Sequence, residues 1–358
     1  MTKQVEYFLG ANSRHGFQSF YDDLFCDPRI EKVWIIKGGP GNGKSTFMRA
    51  MGAVAAERGL EQEWILCSSD PDSLDGIIIP AVKLAIVDGT APHVVEPQVC
   101  GMDAEYLNFS ACYRDGMRQD AAEILDAQQK NKARYPLVYT CLSAAGTLSQ
   151  QIRQIAAQQL PDGKLEQLTQ GIIHAEFQQP GQQPGVIRRF VSGITPKGLQ
   201  YRLEALQDYR LYSLTDTFGL SDPLLQLLKQ AALEKGYFCI AGHSPLEPER
   251  LEQLLIPQLK LAFVRTSQQL AYHGATFCQI DLDALVPLPE LDKNHMPFFV
   301  CTIKALVQEG IGYLQEAKAQ HDRLELLCRP YVDFSAVSAL RETYAQRLHK
   351  LIDKVKKA

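Results

Sequence analysis

Residues 38 to 45 read Gly-Gly-Pro-Gly-Asn-Gly-Lys-Ser, and Thr46 follows. Gly38, Gly39, Gly41 and Gly43 leave backbone N–H groups bare, so phosphate oxygens can approach them closely. Lys44 supplies a charge that reaches β- and γ-phosphates, and Ser45 supplies a hydroxyl for Mg²⁺. The spacing is the phosphate-cradling P-loop pattern, with Pro40, Asn42 and Thr46 completing the candidate nucleotide-binding set. Asp88 closes the apolar run Leu84–Val87 and reads as a Walker B carboxylate, a second Mg²⁺ holder beside Ser45. Gly89, Thr90 and His93 follow it, and His93 is a candidate for the γ-phosphate side. Asp70 and Asp72 are candidates to hold an acceptor hydroxyl. Asp70-Pro71 also reads as a helix start, with Asp70 as cap and Asp72 and Asp75 in the first turn. Arg14, Arg114 and Arg118 are further cations that could meet a transition state.

The surrounding pattern suits the loop. Val33-Trp34-Ile35-Ile36 predicts a buried strand before it, and Thr46 to Arg58 predicts a helix after it, stopped at Gly59. Phosphates then sit at a helix N-terminus, where the dipole favours anions. Strands are expected near 32–37, 63–68 and 84–88, with helices between them and through 103–160. That alternation implies an α/β fold with a parallel sheet flanked by helices.

The chain also repeats itself. Leu74 to Val87 reads LDGIIIPAVKLAIV, and Leu251 to Val264 reads LEQLLIPQLKLAFV, 177 residues later. Gly59 meets Gly236, and Phe8-Leu9-Gly10 with Gly16 echo Phe190-Val191-Ser192 with Gly198. Two tandem P-loop-like domains are expected, 1–185 and 186–358. A Gln/Pro/Gly-rich linker (QQPGQQPG) joins them, and helices near 303–326 and 335–357 complete the second. With a one-residue shift, Gly43 falls on Gly219 and Ser45 on Ser221. Gly38 then falls on Leu214, Gly41 on Thr217 and Lys44 on Leu220, while Asp88 falls on Arg265. The second copy is therefore expected to be degenerate and nucleotide-free, its loop filled by Phe218 and Leu220. Asp70, Asp72 and Asp75 keep acidic partners at Glu247, Glu249 and Glu252. Gly89, Thr90 and His93 become Thr266, Ser267 and Leu270.

Composition bounds the alternatives. With 358 residues, 46% hydrophobic, 22% charged and a net charge of -4, the chain offers no electrostatic reason to bind nucleic acid. Nine cysteines without a C-x-x-C pair argue for reduced thiols and a cytoplasmic setting. The first ten residues lack a signal-peptide shape, and the apolar stretch 76–87 is too short to span a bilayer. A metal cluster, a Ser-His-Asp arrangement and a dinucleotide fingerprint are not legible. The guanine-reading N-K-x-D string is missing, so ATP is the default. No glutamate follows Asp88, which speaks against fast hydrolysis.

The strings GGPGNGKSTFMRAMG, CSSDPDSLDGIIIP and AIVDGTAPH together resemble a little-studied bacterial family of tandem P-loop, ATPase-like proteins. The resemblance spans nearly the whole chain. It implies ATP binding and a P-loop in the second half too, and here the chain departs at Leu214, Thr217 and Leu220. The leading expectation is an ATP-binding protein with weak or partner-regulated Mg²⁺-dependent hydrolysis. The alternatives are a small-molecule or nucleotide kinase using Asp70 and Asp72, and a non-enzymatic ATP-dependent switch. Substrate, protein partner and oligomeric state stay open.

Overall fold

The computed structural model describes residues 3–97, 99, 101–203, 206–266 and 275–357. The first half contains β1 (Gln4–Tyr7), β2 (Gly10–Ser13), β3 (Gly16–Ser19), β4 (Lys32–Lys37) and α1 (Lys44–Glu57). It continues with β5 (Gln62–Leu66), β6 (Leu74–Ile79), β7 (Leu84–Asp88), β8 (Ala104–Asn108), α2 (Ala121–Gln159) and α3 (Lys164–Glu176). The second half contains β9 (Gly185–Phe190), β10 (Ser192–Thr195), β11 (Gly198–Tyr201), β12 (Arg210–Thr215) and α4 (Ser221–Glu234). Then come β13 (Phe238–His243), β14 (Leu251–Ile256), β15 (Leu261–Thr266), β16 (Cys278–Asp281), α5 (Glu290–Cys328) and α6 (Phe334–Val355).

Each half builds a six-stranded sheet in the same order: β1-β5-β6-β7-β4-β8 and β9-β13-β14-β15-β12-β16. The repeat read from sequence is thus a repeat of topology. The sheets are mostly parallel, but β6 and β14 run antiparallel to both neighbours. A helix was expected where β6 lies. All six residues of β6 are buried, so the segment carries neither a strand's alternation nor a helix's stripe, and its three isoleucines settle it as a strand. Pro71 therefore lies in a turn and not at a helix start, and Asp70 caps no helix. β8 is a second strand inside a region read as helical. After β6 and after β14 the chain turns through Pro80–Lys83 and Pro257–Lys260, with Lys83 and Lys260 both left-handed.

The two sheets meet around a local two-fold relation. The equivalent residues Phe8 and Phe190 exchange backbone hydrogen bonds, 2.9 Å in each direction. Beside them Arg189, fully buried on β9, pairs with Glu63 (3.0 Å) and Asp27 (3.4 Å) of the first half. The 39-residue helices α2 and α5 pack antiparallel. Ala127 lies with Leu324 and Cys328, and Val138 and Leu142 lie with Ile311 and Leu314. Among the described residues no helix is long and apolar enough to cross a membrane.

The last helix of each half crosses over. α6, from the end of the chain, packs on α1 and enters the first sheet's core through Val337, Tyr344, Leu348 and Ile352. α3 packs on α4 and enters the second core through Leu165 and Ile172. The Gln/Pro/Gly segment between α3 and β9 is exposed but not free. Gly181 N–H donates to Lys235 O (2.8 Å) and Gln183 N–H to Gly236 O (3.0 Å). Each lobe is therefore a sheet with its own first helix, α1 or α4, and the other half's terminal helix.

This exchange has a measurable consequence. Leu348→Ala leaves a cavity at a fully buried position and should cost about 2–5 kcal/mol. Trp34 and Trp64, both in the first half, report it, since Trp34 packs on Tyr344 at 4.9 Å between ring centroids. Urea unfolding followed by tryptophan fluorescence should shift to lower denaturant. An unchanged midpoint would mean that α6 does not stabilise this lobe.

Candidate functional site

The loop 38–43 joins the C-terminal end of β4 to α1. It turns on Gly41 (φ 68°) and Gly43 (φ 88°), which occupy the left-handed region that side chains resist. Gly38 has no room for a side chain, because a Cβ there would lie 2.2 Å from Asn42 and 2.8 Å from Phe109. Asn42 is buried, and its amide folds back on Gly39, donating to the carbonyl (3.0 Å) and accepting from the N–H (3.2 Å). Tyr113 Oη donates to Pro40 O (3.0 Å). The loop is thereby held open, and no side chain caps the N-terminus of α1. Thr46 is exposed in the first helical turn.

Lys44 folds over the loop and donates to Gly38 O (3.1 Å) and Gly39 O (2.7 Å), with Asp88 Oδ2 at 3.6 Å. Asp88 ends β7, next to β4 in the sheet, so register alone brings it to the loop. Its Oδ1 accepts from Thr90 N–H (2.8 Å), and Thr90 Oγ1 donates to Gly38 O (2.9 Å). Ser45 Oγ accepts from Leu74 N–H (3.0 Å) and keeps its own proton and a lone pair. Lys44, Ser45, Asp88 and Thr90 thus converge.

The remaining candidates sit elsewhere. Asp70 accepts from Ser73 Oγ (2.9 Å) and lies 3.6 Å from Lys318 of α5. Asp72 is exposed and pairs with Lys197 at 2.6 Å. His93 is buried, with Asp75 at 3.1 Å and the rings of Phe17 and Tyr21 against it. Arg14 reaches the second half, pairing with Glu247 at 3.1 Å. Arg114 lies 3.5 Å from Asp333, and Arg118 is exposed. Arg114 also lines a cavity of about 420 Å³ beside the loop, with Gly39, Pro40, Tyr113, Leu324 and Cys328.

Glu325 was not foreseen. It comes from α5, and its Oε1 accepts from Gly41 N–H (3.2 Å) with His321 at 3.5 Å. The His321 contact and the loop amide hold its carboxyl below the usual range against the opposing effect of burial. A carboxylate from the second half therefore rests on an anion-seeking amide of the first.

The second loop is one residue shorter, 216–220, and the alignment read from sequence slips there. Asp222 Oδ1 accepts from Leu251 N–H (2.9 Å), the bond that Ser45 makes with Leu74. Ser45 thus corresponds to Asp222 and Lys44 to Ser221. Leu214 belongs to β12, and Leu220 takes the place of Gly43. The filling is also polar and not made by Phe218 and Leu220. Asp216, fully buried, accepts from Gly219 N–H (2.6 Å), Leu220 N–H (2.9 Å), Ser221 N–H (2.9 Å) and Ser221 Oγ (2.6 Å). Burial would raise its pKa, but Arg265, 3.6 Å away, and these donors hold it below the usual range. Arg265 stands where the first half has Asp88 and also pairs with Glu252 at 3.0 Å. The counterparts of Thr90 and His93, Ser267 and Leu270, lie outside the described residues.

Asp216→Asn should therefore destabilise the protein by about 3 kcal/mol at neutral pH, because Arg265 keeps only Glu252 and the loop amides lose a charged acceptor. The depressed carboxyl contributes stability above its unfolded value near 3.8, and that stability fades as pH falls through the folded value. Denaturant melts from pH 7 down to pH 2, an interval set to bracket about pH 4, should show a flatter acid limb for the variant. A parallel pair of curves would remove Asp216 from this role. Comparison of the chain with protein-family models, with curated proteins and with solved structures finds no match to any of them.

Proposed function

We propose that the first lobe binds Mg²⁺-ATP at a P-loop formed by residues 38–45 and hydrolyses it slowly or under a partner's control, while the second lobe binds no nucleotide. The observation that carries this reading is the contrast at the two helix N-termini. The loop before α1 has an uncapped N-terminus, a lysine and Asp88 in register. The loop before α4 has spent its amides on Asp216.

The residues fit the ligand. Gly38 and Gly41 keep the loop's backbone bare because protein atoms leave no room for a side chain, Gly41 Cβ meeting Glu325 O at 3.0 Å. Lys44, now on two carbonyls of its own loop, is free to turn to the β- and γ-phosphates. Ser45 and Asp88 would hold Mg²⁺, which neutralises phosphate charge. Asp88 is engaged by Thr90 N–H, and no glutamate follows it, so the position beside Asp88 offers no carboxylate to polarise water. That absence of a base supports slow turnover. Positioning and charge neutralisation by Lys44 and the loop amides carry the rate.

Two features favour neighbouring readings. The cavity beside Gly39 and Pro40 suits a small acceptor, hence phosphoryl transfer, with Tyr113 and Arg114 in place of Asp70 and Asp72. The Glu325 contact suits a switch, because nucleotide and Glu325 compete for Gly41 N–H.

Calorimetry with ATP and Mg²⁺ should show one saturable site, and Lys44→Ala should weaken it at least about tenfold. No binding by wild type, or no change in the variant, would defeat the proposal. Glu325→Gln keeps the size and removes the charge. It should tighten ATP about fivefold, the equivalent of about 1 kcal/mol. Weaker binding would show instead that Glu325 supports the site.

A further inference from the structure

Three side chains with metal-ligand chemistry meet behind this loop. Cys67 follows β5, Asp75 lies on β6, and His93 lies in the segment after β7. One donor atom from each falls within 4.8 Å of the others. Asp75 and His93 are buried, and Cys67 is half-buried. We propose that Cys67, Asp75 and His93 form a binding site for a borderline-soft divalent cation of the Zn²⁺ class, distinct from the Mg²⁺ position at Ser45 and Asp88.

The donor set is the first argument. A thiolate, an imidazole and a carboxylate are zinc ligands, whereas Mg²⁺ takes oxygen donors only. Geometry is the second. His93 Nε2 lies 3.1 Å from Asp75 Oδ2, yet Asp75 Oδ2 has no hydrogen-bond partner. This ion pair holds an imidazole nitrogen and a carboxylate oxygen at the separation that a shared cation needs. Nitrogen and oxygen ligands of a tetrahedral zinc ion are separated by about 3.3 Å, and sulfur and nitrogen by about 3.6 Å. The histidine–aspartate gap is already of that size, and Cys67 Sγ lies within 4.8 Å of both donors.

The surroundings are the third argument. Cys67 N–H is tied to Ser73 O (3.1 Å), fixing the turn that carries it. Tyr21 Oη is buried against the same cluster, with Asp75 and Cys67 beside it. Phe17 and Tyr21 pack on the His93 ring and keep bulk water out.

The second half provides an internal control. Ser244 N–H bonds Arg250 O (2.9 Å) as Cys67 N–H bonds Ser73 O, so Ser244 takes the place of Cys67. Glu252 takes the place of Asp75, and its carboxylate is met by Arg265 at 3.0 Å. Where the soft donor is lost, a fixed cation from the protein answers the carboxylate. In the first half, among the described residues, no arginine meets Asp75, and its ion-pair partner is His93 at 3.1 Å.

The test uses full-length protein stripped with a chelator, without nucleotide or Mg²⁺, so that its outcome is independent of Lys44. Titration with Co²⁺ should give one equivalent with a thiolate-to-cobalt charge-transfer band and the visible bands of a four-coordinate ion. Zn²⁺ should bleach both, and excess Mg²⁺ should not. Cys67→Ser should abolish the charge-transfer band, while Cys26→Ser and Cys301→Ser, at exposed positions, keep it. Zn²⁺ should also raise the melting temperature of wild type and not of Cys67→Ser. If Cys67→Ser fails to fold, His93→Gln is read in the same titration and should weaken Co²⁺ at least tenfold. A wild type without the band, or a band unchanged in either folded variant, would overturn the site.

Discussion

Exposed N–H groups at the start of a helix demand an anion, and the two lobes meet that demand differently. A helix N-terminus leaves its first amides without backbone partners, and the dipole adds positive potential there. In the second lobe the demand is met from within. Asp216 follows β12 directly and reaches three amides and the Ser221 hydroxyl, with Arg265 balancing its charge. In the first lobe Gly38 occupies that place, so the strand end offers the amides no carboxylate. Lys44 and the loop amides remain, with Glu325 of α5 on one of them. A glycine in place of an aspartate at the end of the strand, in a loop one residue longer, leaves the first loop without the carboxylate that the second carries.

The rest of the architecture places Glu325 there. α2 and α5 lie antiparallel, so each reaches over the other lobe's loop. α5 brings Lys318, His321 and Glu325 to the first, and α2 brings Arg153 to the second, where it pairs with Glu247 at 2.6 Å beside Gly219. The buried Arg189, shared between Glu63 and Asp27, fixes the two sheets at their common edge. Such an ion pair contributes more to a unique arrangement than to net stability, since its desolvation opposes its attraction. The first loop is therefore an inter-lobe feature, built on one sheet and covered by the other half's helix.

Much of this was legible in the chain. Fixed spacing between LDGIIIPAVKLAIV and LEQLLIPQLKLAFV marked the duplication, and strand-glycine-helix order placed Lys44 and Ser45. Asp88 was found because a parallel neighbour strand ending in a carboxylate lands beside such a loop. Other features were hidden for physical reasons. β6 is buried on both faces and shows no period. The second loop is one residue short, and spacing alone cannot locate a deletion among dissimilar side chains. Asp216 did leave a trace, an aspartate three residues before Gly219, which is a pattern for capping local amides. Glu325 and the Cys67–Asp75–His93 cluster left none, because their partners are distant in sequence and meet only through sheet order.

The crossing of α3 and α6 gives the molecule a lineage-like logic. Two identical subunits trading terminal helices across a two-fold axis would present the same arrangement, with Phe8 and Phe190 on that axis. Joining them into one polypeptide frees each copy from the other's sequence while obliging them to stay together. A symmetric dimer would carry the same residue at both places, whereas a single chain can hold Lys44 in one and Ser221 in its twin.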